Sequence, residues 1–375
     1  MADLSPHPDP WASYKDPTRA RAATEEVHEL AARYGEKLTF MEVCGTHTMQ
    51  IERHGIRRLM PKNVRLVSGP GCPVCVSGRG LIDAAIHLAD RTGVRLATFG
   101  DLVRVPGHRG SLERARAAGA SVQVVYSPLD ALALAEAHPA DEICFVAIGF
   151  ETTAPAVAAT AESALERGVP NFFILPACKT MPPPMRALLA HPDLALDGFI
   201  CPGHVSVITG LDLYRPLVRD FAAACVIAGF EALDVLESVA ALIRQKLDDR
   251  AAVEIQYKRA VRAEGNPAAR EIVARVFEPA DAWWRGLGVI PASGLAFREA
   301  YRSLDALEHF DVRIPPEHVG DACRCGDVLT GVIEPEECKL FAGICTPDDP
   351  FGPCMVSSEG ACAARLRYHN LSVAS

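Results

Sequence analysis

The sequence predicts an α/β protein with two parallel-sheet lobes, extended by a helical and irregular C-terminal part. Short β-branched or apolar runs alternate with helix-patterned stretches across residues 38–228, the signature of a parallel sheet with helices on its faces. Several of these runs are apolar at successive positions, as strands covered on both sides must be. Beyond residue 228 the pattern turns to helices and then to segments rich in Gly and Pro. At 375 residues the chain is long for one core, and roughly 150 residues per domain implies two or three domains.

Taken in order, Val27, Leu30, Ala31 and Tyr34 form one helical stripe stopped by Gly35. Eight strands are expected at 38–43, 64–68, 94–99, 122–126, 143–148, 172–175, 198–201 and 225–228. Between them, 81–89 and 154–167 carry apolar residues at helical spacing and end at Gly93 and Gly168, which suit a left-handed C-cap. Eight strands exceed one small doubly wound sheet, so the expectation is two Rossmann-like lobes, 18–128 and 129–230, divided near Pro128, followed by a third region, 231–375. A short echo accompanies this division: Ile148-Gly149-Phe150-Glu151 and Ala228-Gly229-Phe230-Glu231 both stand where a strand turns into a helix. Helices are expected at 231–247 and 267–277. Trp283 and Trp284 then open an irregular stretch leading to a cysteine cluster.

Composition narrows the function. Lys and Arg number 38 against 47 Asp and Glu, a net charge of -9, so no basic footprint for nucleic acid or an anionic membrane is present. No apolar run reaches the roughly 18 residues of a membrane span, and residues 1–16 lack the apolar core of a signal peptide. The expected location is cytoplasmic. In that reducing compartment 13 Cys are not accounted for by static disulfides and point to metal or redox chemistry.

Six of them crowd together: Cys323-x-Cys325, Cys338, Cys345, Cys354 and Cys362, set among Gly326, Gly331, Pro335, Gly343, Pro347, Pro350, Gly352, Pro353 and Gly360. Gly and Pro permit the irregular backbone that wraps a compact inorganic core. Four thiolates suffice for a [4Fe-4S] cluster and leave two cysteines over, which raises a redox disulfide beside it. Structural zinc is the second reading, although the paired knuckles zinc favours are missing. Inert or disulfide-bonded cysteines are the third.

A second constellation follows the first two strands: Glu42-Val43-Cys44-Gly45-Thr46-His47-Thr48 and Ser68-Gly69-Pro70-Gly71-Cys72-Pro73-Val74-Cys75. Loops after the carboxyl ends of parallel strands gather at one crevice, so Cys44, His47, Cys72 and Cys75 are expected to meet there. Cys72-Pro-Val-Cys75 before a helix resembles a thioredoxin-type dithiol, whose thiolate a helix N-terminus stabilises. Metal ligation and thiol–disulfide exchange both fit. Cys144, Cys178, Cys201 and Cys225 read mainly as small buried hydrophobes, with Cys178 and Cys201 in reserve because they approach strand ends. His204 reads first as a loop cap, with ligand orientation as the alternative, and Glu151 reads first as helix-terminus stabilisation. No Gly-Lys pair exists for a P-loop, and Gly69-x-Gly71 is followed by Val74 where a dinucleotide site needs a third small residue.

Together these motifs resemble the HypD family of hydrogenase maturation proteins. The resemblance runs through Phe40 to Thr48, Ser68 to Cys75, Gly149-Phe-Glu-Thr-Thr-Ala-Pro155, Pro202-Gly-His-Val-Ser206, Cys345-Thr-Pro347, Gly352-Pro-Cys-Met-Val-Ser357 and Glu359-Gly-x-Cys362. It implies a redox-active scaffold that holds iron together with a small HypC-type chaperone, builds the Fe(CN)2(CO) unit of [NiFe]-hydrogenase, takes cyanide from HypE and serves the hydrogenase large subunit indirectly. Whether such a scaffold counts as an enzyme is open. By the same resemblance Cys44 is the iron-binding thiolate, His47 orients or protonates near it, and Cys72 with Cys75 forms the crevice dithiol. The family's cluster region is similar to the ferredoxin:thioredoxin reductase site, which implies Cys323, Cys338, Cys345 and Cys362 as ligands of a [4Fe-4S] cluster and Cys325 with Cys354 as the redox pair. A stand-alone iron-sulfur thiol–disulfide reductase is the alternative.

Overall fold

The computed structural model describes residues 13, 15–191, 194–315, 317 and 322–369; the expectations for residues 1–12, for Tyr14 and for 370–375 lie outside them. All eight expected strands are present: β1 (Leu38–Glu42), β2 (Val64–Ser68), β3 (Val94–Thr98), β4 (Val122–Val124), β5 (Glu142–Gly149), β6 (Phe172–Cys178), β7 (Gly198–Pro202) and β8 (Ala224–Ala228). A short β9 (Val253–Ile255) and the pair β10 (Phe277–Trp284) and β11 (Gly288–Phe297) follow. Strands β1 to β9 form two sheets, with orders β2-β1-β7-β8-β9 and β4-β3-β5-β6, and every pairing in both is parallel. The α/β class with Rossmann-like sheets is therefore present.

The sheets are not divided where the sequence suggested. The chain lays down β1 and β2, leaves to build the whole four-stranded sheet, and returns at β7 to finish the first one. Residue 128 begins a helix, Pro128–Ala137, between β4 and β5 of the same sheet. The physical reason is that β1 is a central strand needing a partner on each edge; β2 takes one edge and β7 the other, in register Phe40↔Gly198 through Glu42↔Ile200.

Local chemistry explains the flanking helices. Helix Pro17–Tyr34 starts at Asp16, whose Oδ1 accepts from Thr18 N at 2.8 Å, and stops at Gly35 in the left-handed region, φ 78°. Its buried stripe, Val27, Leu30 and Ala31, packs with helix Ala232–Leu247 in one core against Phe40, Ile200 and Val226. Burying each such aliphatic side chain stabilises the fold by about 1.5–3 kcal/mol.

Trp283 and Trp284 are not in an irregular stretch. They end β10, whose antiparallel pairing with β11 shifts register between Ala280 and Ala282. The hairpin extends the second sheet through a bridge from Lys179 to Gly294. After it the chain becomes irregular, with short turns at Cys325–Leu329, Pro335–Glu337 and Pro353–Met355 before a final helix, Ala361–His369. That helix packs on Gly45–Arg53, the helix that begins beside Cys44. No described helix is long and apolar enough to cross a membrane.

Candidate functional site

The site forms at the carboxyl ends of β1, β2, β7 and β8. Cys44 caps the N-terminus of helix Gly45–Arg53 and is 2 % exposed. The loop after β2 closes directly on it: Gly45 N donates to Gly71 O at 3.1 Å and Gly69 N to Glu42 O at 2.8 Å. Glycine is required at 71, because a Cβ there would lie 2.1 Å from Cys44 N. Cys72 and Cys75 are joined as a disulfide with Cα atoms 5.2 Å apart, and Cys72 Sγ accepts from Cys75 N at 3.2 Å. The loops bearing Cys44 and Cys72/Cys75 thus meet as expected from the parallel topology.

His204, the residue read first as a loop cap, brings an imidazole to the Cys44 sulfur, with Nδ1 3.8 Å from Sγ. His47 is instead anchored to the end of β8: its Nε2 bonds Gly229 O at 2.8 Å. Phe230 packs between the two imidazoles, 5.0 Å from His47 and 5.4 Å from His204 by ring centroid. Burial lowers both histidines to about 4, so both are neutral at pH 7. Burial pushes the Cys44 thiol up to about 12; Glu359 and Glu42 add to the rise, while the backbone amides of His47 and Thr46 oppose it. The protein thus holds Cys44 as a neutral thiol whose proton must leave when a metal binds.

Two acidic residues that sequence reasoning did not single out complete the pocket. Glu42 is fully buried, its Oε2 accepting from Cys44 N at 3.1 Å and its Oε1 from Thr48 Oγ1 at 2.5 Å, and burial raises its carboxyl to about 7. Glu359 reaches in from the C-terminal region: its Oε1 accepts from Thr46 Oγ1 at 2.6 Å. A Cβ on Gly45 would stand 2.5 Å from Glu359 Cβ, so this approach also depends on glycine. The spacing Glu42-x-Cys44 was a local signal that could have flagged Glu42. No local signal connects Glu359 to residues more than 300 positions earlier.

Next along the same side lies the second disulfide. Cys75 Sγ is 4.0 Å from the carbonyl oxygen of Pro353, which precedes Cys354 in its turn. Cys354 is bonded to Cys325, with Cα atoms 6.4 Å apart. Beyond it, the free cysteines Cys323, Cys338, Cys345 and Cys362 line one hollow with Val328, Leu340, Phe341 and Met355. Burial raises the Cys323 and Cys362 thiols; Cys345 and Cys338 raise Cys323 further, and Cys323, Cys345 and Cys338 raise Cys362 further. Among the described residues no group of three or more His, Cys, Asp or Glu stands close enough for a single metal ion.

This donor set fits a [4Fe-4S] cluster. Four thiols around an apolar hollow match the number and type of ligands such a cluster needs, and their spread suits a polynuclear core rather than one ion. Gly352 keeps the wall open, because a Cβ there would meet Cys323 Sγ at 2.4 Å.

The remaining candidates separate from the site. Cys144, Cys201 and Cys225 are fully buried in β5, β7 and β8. Cys178 donates to Ala147 O at 3.2 Å at the end of β6, in the other sheet. Glu151 accepts from Met181 N at 2.8 Å, tying the loop after β5 to the loop after β6 rather than stabilising its own helix start.

The family model described as "Hydrogenase formation hypA family", HypD, matches residues 18–369. The chain is 46% identical over 363 residues to the hydrogenase maturation factor HypD of Rhizobium leguminosarum bv. viciae, covering 95% of this chain and 94% of that protein. Against HypD of Escherichia coli the identity is 44% over 362 residues, with 95% and 96% covered; against HypD of Azotobacter vinelandii it is 48%, with 91% and 94% covered. With a matching family model over nearly its whole length and relatives of this closeness, the chain belongs to the HypD family of hydrogenase maturation factors.

Proposed function

We propose that this chain is the redox-active scaffold on which the Fe(CN)2(CO) unit of [NiFe]-hydrogenase is assembled in the cytoplasm. Iron is the cargo, held by Cys44 together with a thiolate from a HypC-type chaperone; HypE delivers cyanide, and the finished unit passes on to the hydrogenase large subunit. One observation carries the reading. From Cys44 through Cys72–Cys75 and Cys325–Cys354 to the four-thiol hollow, each element abuts the next.

The residues divide the work by chemistry. Iron accepts a soft thiolate readily, and an electron-rich sulfur suits a metal carrying strong-field cyanide and carbonyl ligands. His204, neutral and 3.8 Å from the sulfur, is placed to pass the proton that Cys44 loses on binding onward to solvent rather than to keep it. Releasing cyanide from a thiocyanate carrier takes two electrons and a proton, giving the carrier thiol and free cyanide. Oxidation of the Cys72/Cys75 dithiol to its disulfide provides two electrons and two protons, of which one proton goes to the carrier thiol and the other leaves with the cyanide as hydrogen cyanide, passing to solvent when the cyanide binds iron. The Cys325/Cys354 dithiol restores it by exchange. Cys323, Cys338, Cys345 and Cys362 would hold the [4Fe-4S] cluster, which when bound supplies single electrons to the disulfide beside it.

The test is infrared spectroscopy of the anaerobically purified complex of Cys44→Ala with the small chaperone. Loss of the cyanide and carbonyl bands is expected; bands at wild-type intensity would remove Cys44 as the ligand. The alternative, a general thiol–disulfide reductase, is disfavoured because Cys72, Cys75, Cys325 and Cys354 are each at most 3 % exposed, which shields them from a protein substrate. Turnover of a generic disulfide substrate by the isolated chain would restore it.

A further inference from the structure

A cavity of about 550 Å³ lies between β6, the outer strand of the four-stranded sheet, and the hairpin β10–β11. That volume is in the range that holds a small molecule. Its walls are largely apolar, with Trp283, Val289 and Leu295 from the hairpin and Leu81 and Ile314 from the segments facing it. Val289 and Ile314 are exposed at its rim. Cys178 lends only its backbone side, because its thiol turns away to Ala147 O. The cavity is separate from the pocket around Cys44.

Side chains of opposite charge share this lining. Lys179 is 8 % exposed, its Nζ donates to Trp283 O at 2.8 Å, and it lies over the Trp284 ring at 5.6 Å. Among the described residues that is its one side-chain hydrogen bond, so two of its three N–H donors are unspent. Burial lowers its ammonium to about 8, which leaves it charged at pH 7. A buried cation with unspent donors is costly, and in an apolar lining an occupant of the cavity is what can meet them.

Glu317 joins the lining from the opposite side, its Oε1 accepting from Gly80 N at 2.7 Å. Two glycines admit it: a Cβ on Gly78 would stand 2.0 Å from Glu317 Oε1 and 3.1 Å from Trp283 Cε3, and one on Gly80 would stand 2.2 Å from Pro315 O. Glu317 therefore abuts Trp283, the residue whose carbonyl oxygen takes the Lys179 ammonium. Asp281, also on the lining, spends Oδ1 on Ala292 N at 3.1 Å. A simple anion would satisfy Lys179 but face two carboxylates, and a simple amine would leave Lys179 unmet. A molecule with both charges on neighbouring atoms satisfies the set, and the apolar walls call for an apolar remainder.

We propose that this cavity binds a small apolar α-amino acid, its carboxylate held by Lys179, its ammonium by Glu317, and its side chain packed against Leu81, Leu295 and Ile314.

The experiment titrates the full chain with L-leucine, L-valine, L-methionine and L-phenylalanine by calorimetry. At least one is expected to bind with a Kd of about 0.1–1 mM. Isocaproate, which is leucine without its ammonium, and isoamylamine, which is leucine without its carboxylate, are expected to bind at least about tenfold more weakly than leucine. Lys179→Met and Glu317→Gln should each weaken amino-acid binding about tenfold. Ile314→Trp, at the exposed rim, should fill the cavity and abolish binding with Tm unchanged. Failure of all four amino acids to bind overturns the proposal. So does a half-ligand that binds as tightly as leucine, or undiminished binding in Lys179→Met. Should Lys179→Met not fold, Ile314→Trp decides: full affinity in that variant places the binding elsewhere and overturns the assignment.

Discussion

The carboxyl ends of the two sheets carry similar chain motifs and put them to different use. In the five-stranded sheet, Gly229-Phe230-Glu231 follows β8, and Phe230 becomes the wall between His47 and His204, with Tyr257 behind it at 5.7 Å. In the four-stranded sheet, Gly149-Phe150-Glu151 ends β5, and Phe150 lies parallel to the buried Trp284 ring at 5.8 Å. The hairpin closes that second end: Thr180 N donates to Ser293 O at 2.9 Å and Lys179 Nζ to Trp283 O at 2.8 Å. One strand-to-helix turn thus supports the pocket around Cys44, and the other supports packing. What separates them is the element laid across each end, a cysteine-bearing region with Glu359 in one case and an aromatic hairpin in the other.

The contrast can be broken in four ways, from the largest effect to the smallest. Cys44→Ala is expected to cut hydrogenase maturation in cells by at least about a hundredfold, whereas Cys178→Ala at the closed end leaves it within about twofold; equal losses would erase the distinction. Gly71→Ala forces a Cβ into the Cys44 backbone and should lower stability by about 3 kcal/mol in thermal or denaturant unfolding. Gly343, with nothing within 4 Å of a built Cβ, should tolerate Ala within about 0.5 kcal/mol.

The two phenylalanines sharpen the comparison further. Phe230→Leu is expected to reduce maturation about tenfold, because His204 loses the ring that fixes it, with little change in Tm. Phe150→Leu should do the reverse, lowering stability by about 1–2 kcal/mol with maturation preserved, and a swap of these outcomes would contradict the assignment. Last comes Glu151, whose carboxyl burial raises to about 7. The folded state then binds its proton more tightly than the unfolded chain between the ordinary carboxylate range and pH 7, so its contribution to stability falls as pH rises through that window. Glu151→Gln removes the cost, and Tm at pH 8 should rise by about 2–4 °C while at pH 4.5 the two proteins unfold together.

Much of this was legible in the sequence, and the failures have definite causes. Strand positions were readable because β-branched and apolar runs are local features, and the cysteine motifs were readable because thiol chemistry needs few residues at short spacing. Sheet membership was not readable: that β1 pairs with β7 rather than with a strand of its own half is a choice between partners far apart in sequence. The hairpin was missed because Pro279, Gly286, Gly288 and Pro291 imitate a loop, and because the register shift at Ala280/Ala282 breaks the alternation that marks a strand. His204 was placed behind His47 since nothing local says which imidazole the fold will turn toward the sulfur.

The interrupted first sheet has a consequence for timing. The Cys44 loop borrows His204 and Gly229, which follow β7 and β8, from segments synthesised some 160 and 182 residues later, after the entire second sheet has emerged. A nascent chain that has displayed Cys44 therefore has no pocket around it until translation passes β8. The Cys44 thiol thus stays open through the synthesis of some 160 further residues and becomes enclosed only once β7 and β8 join β1.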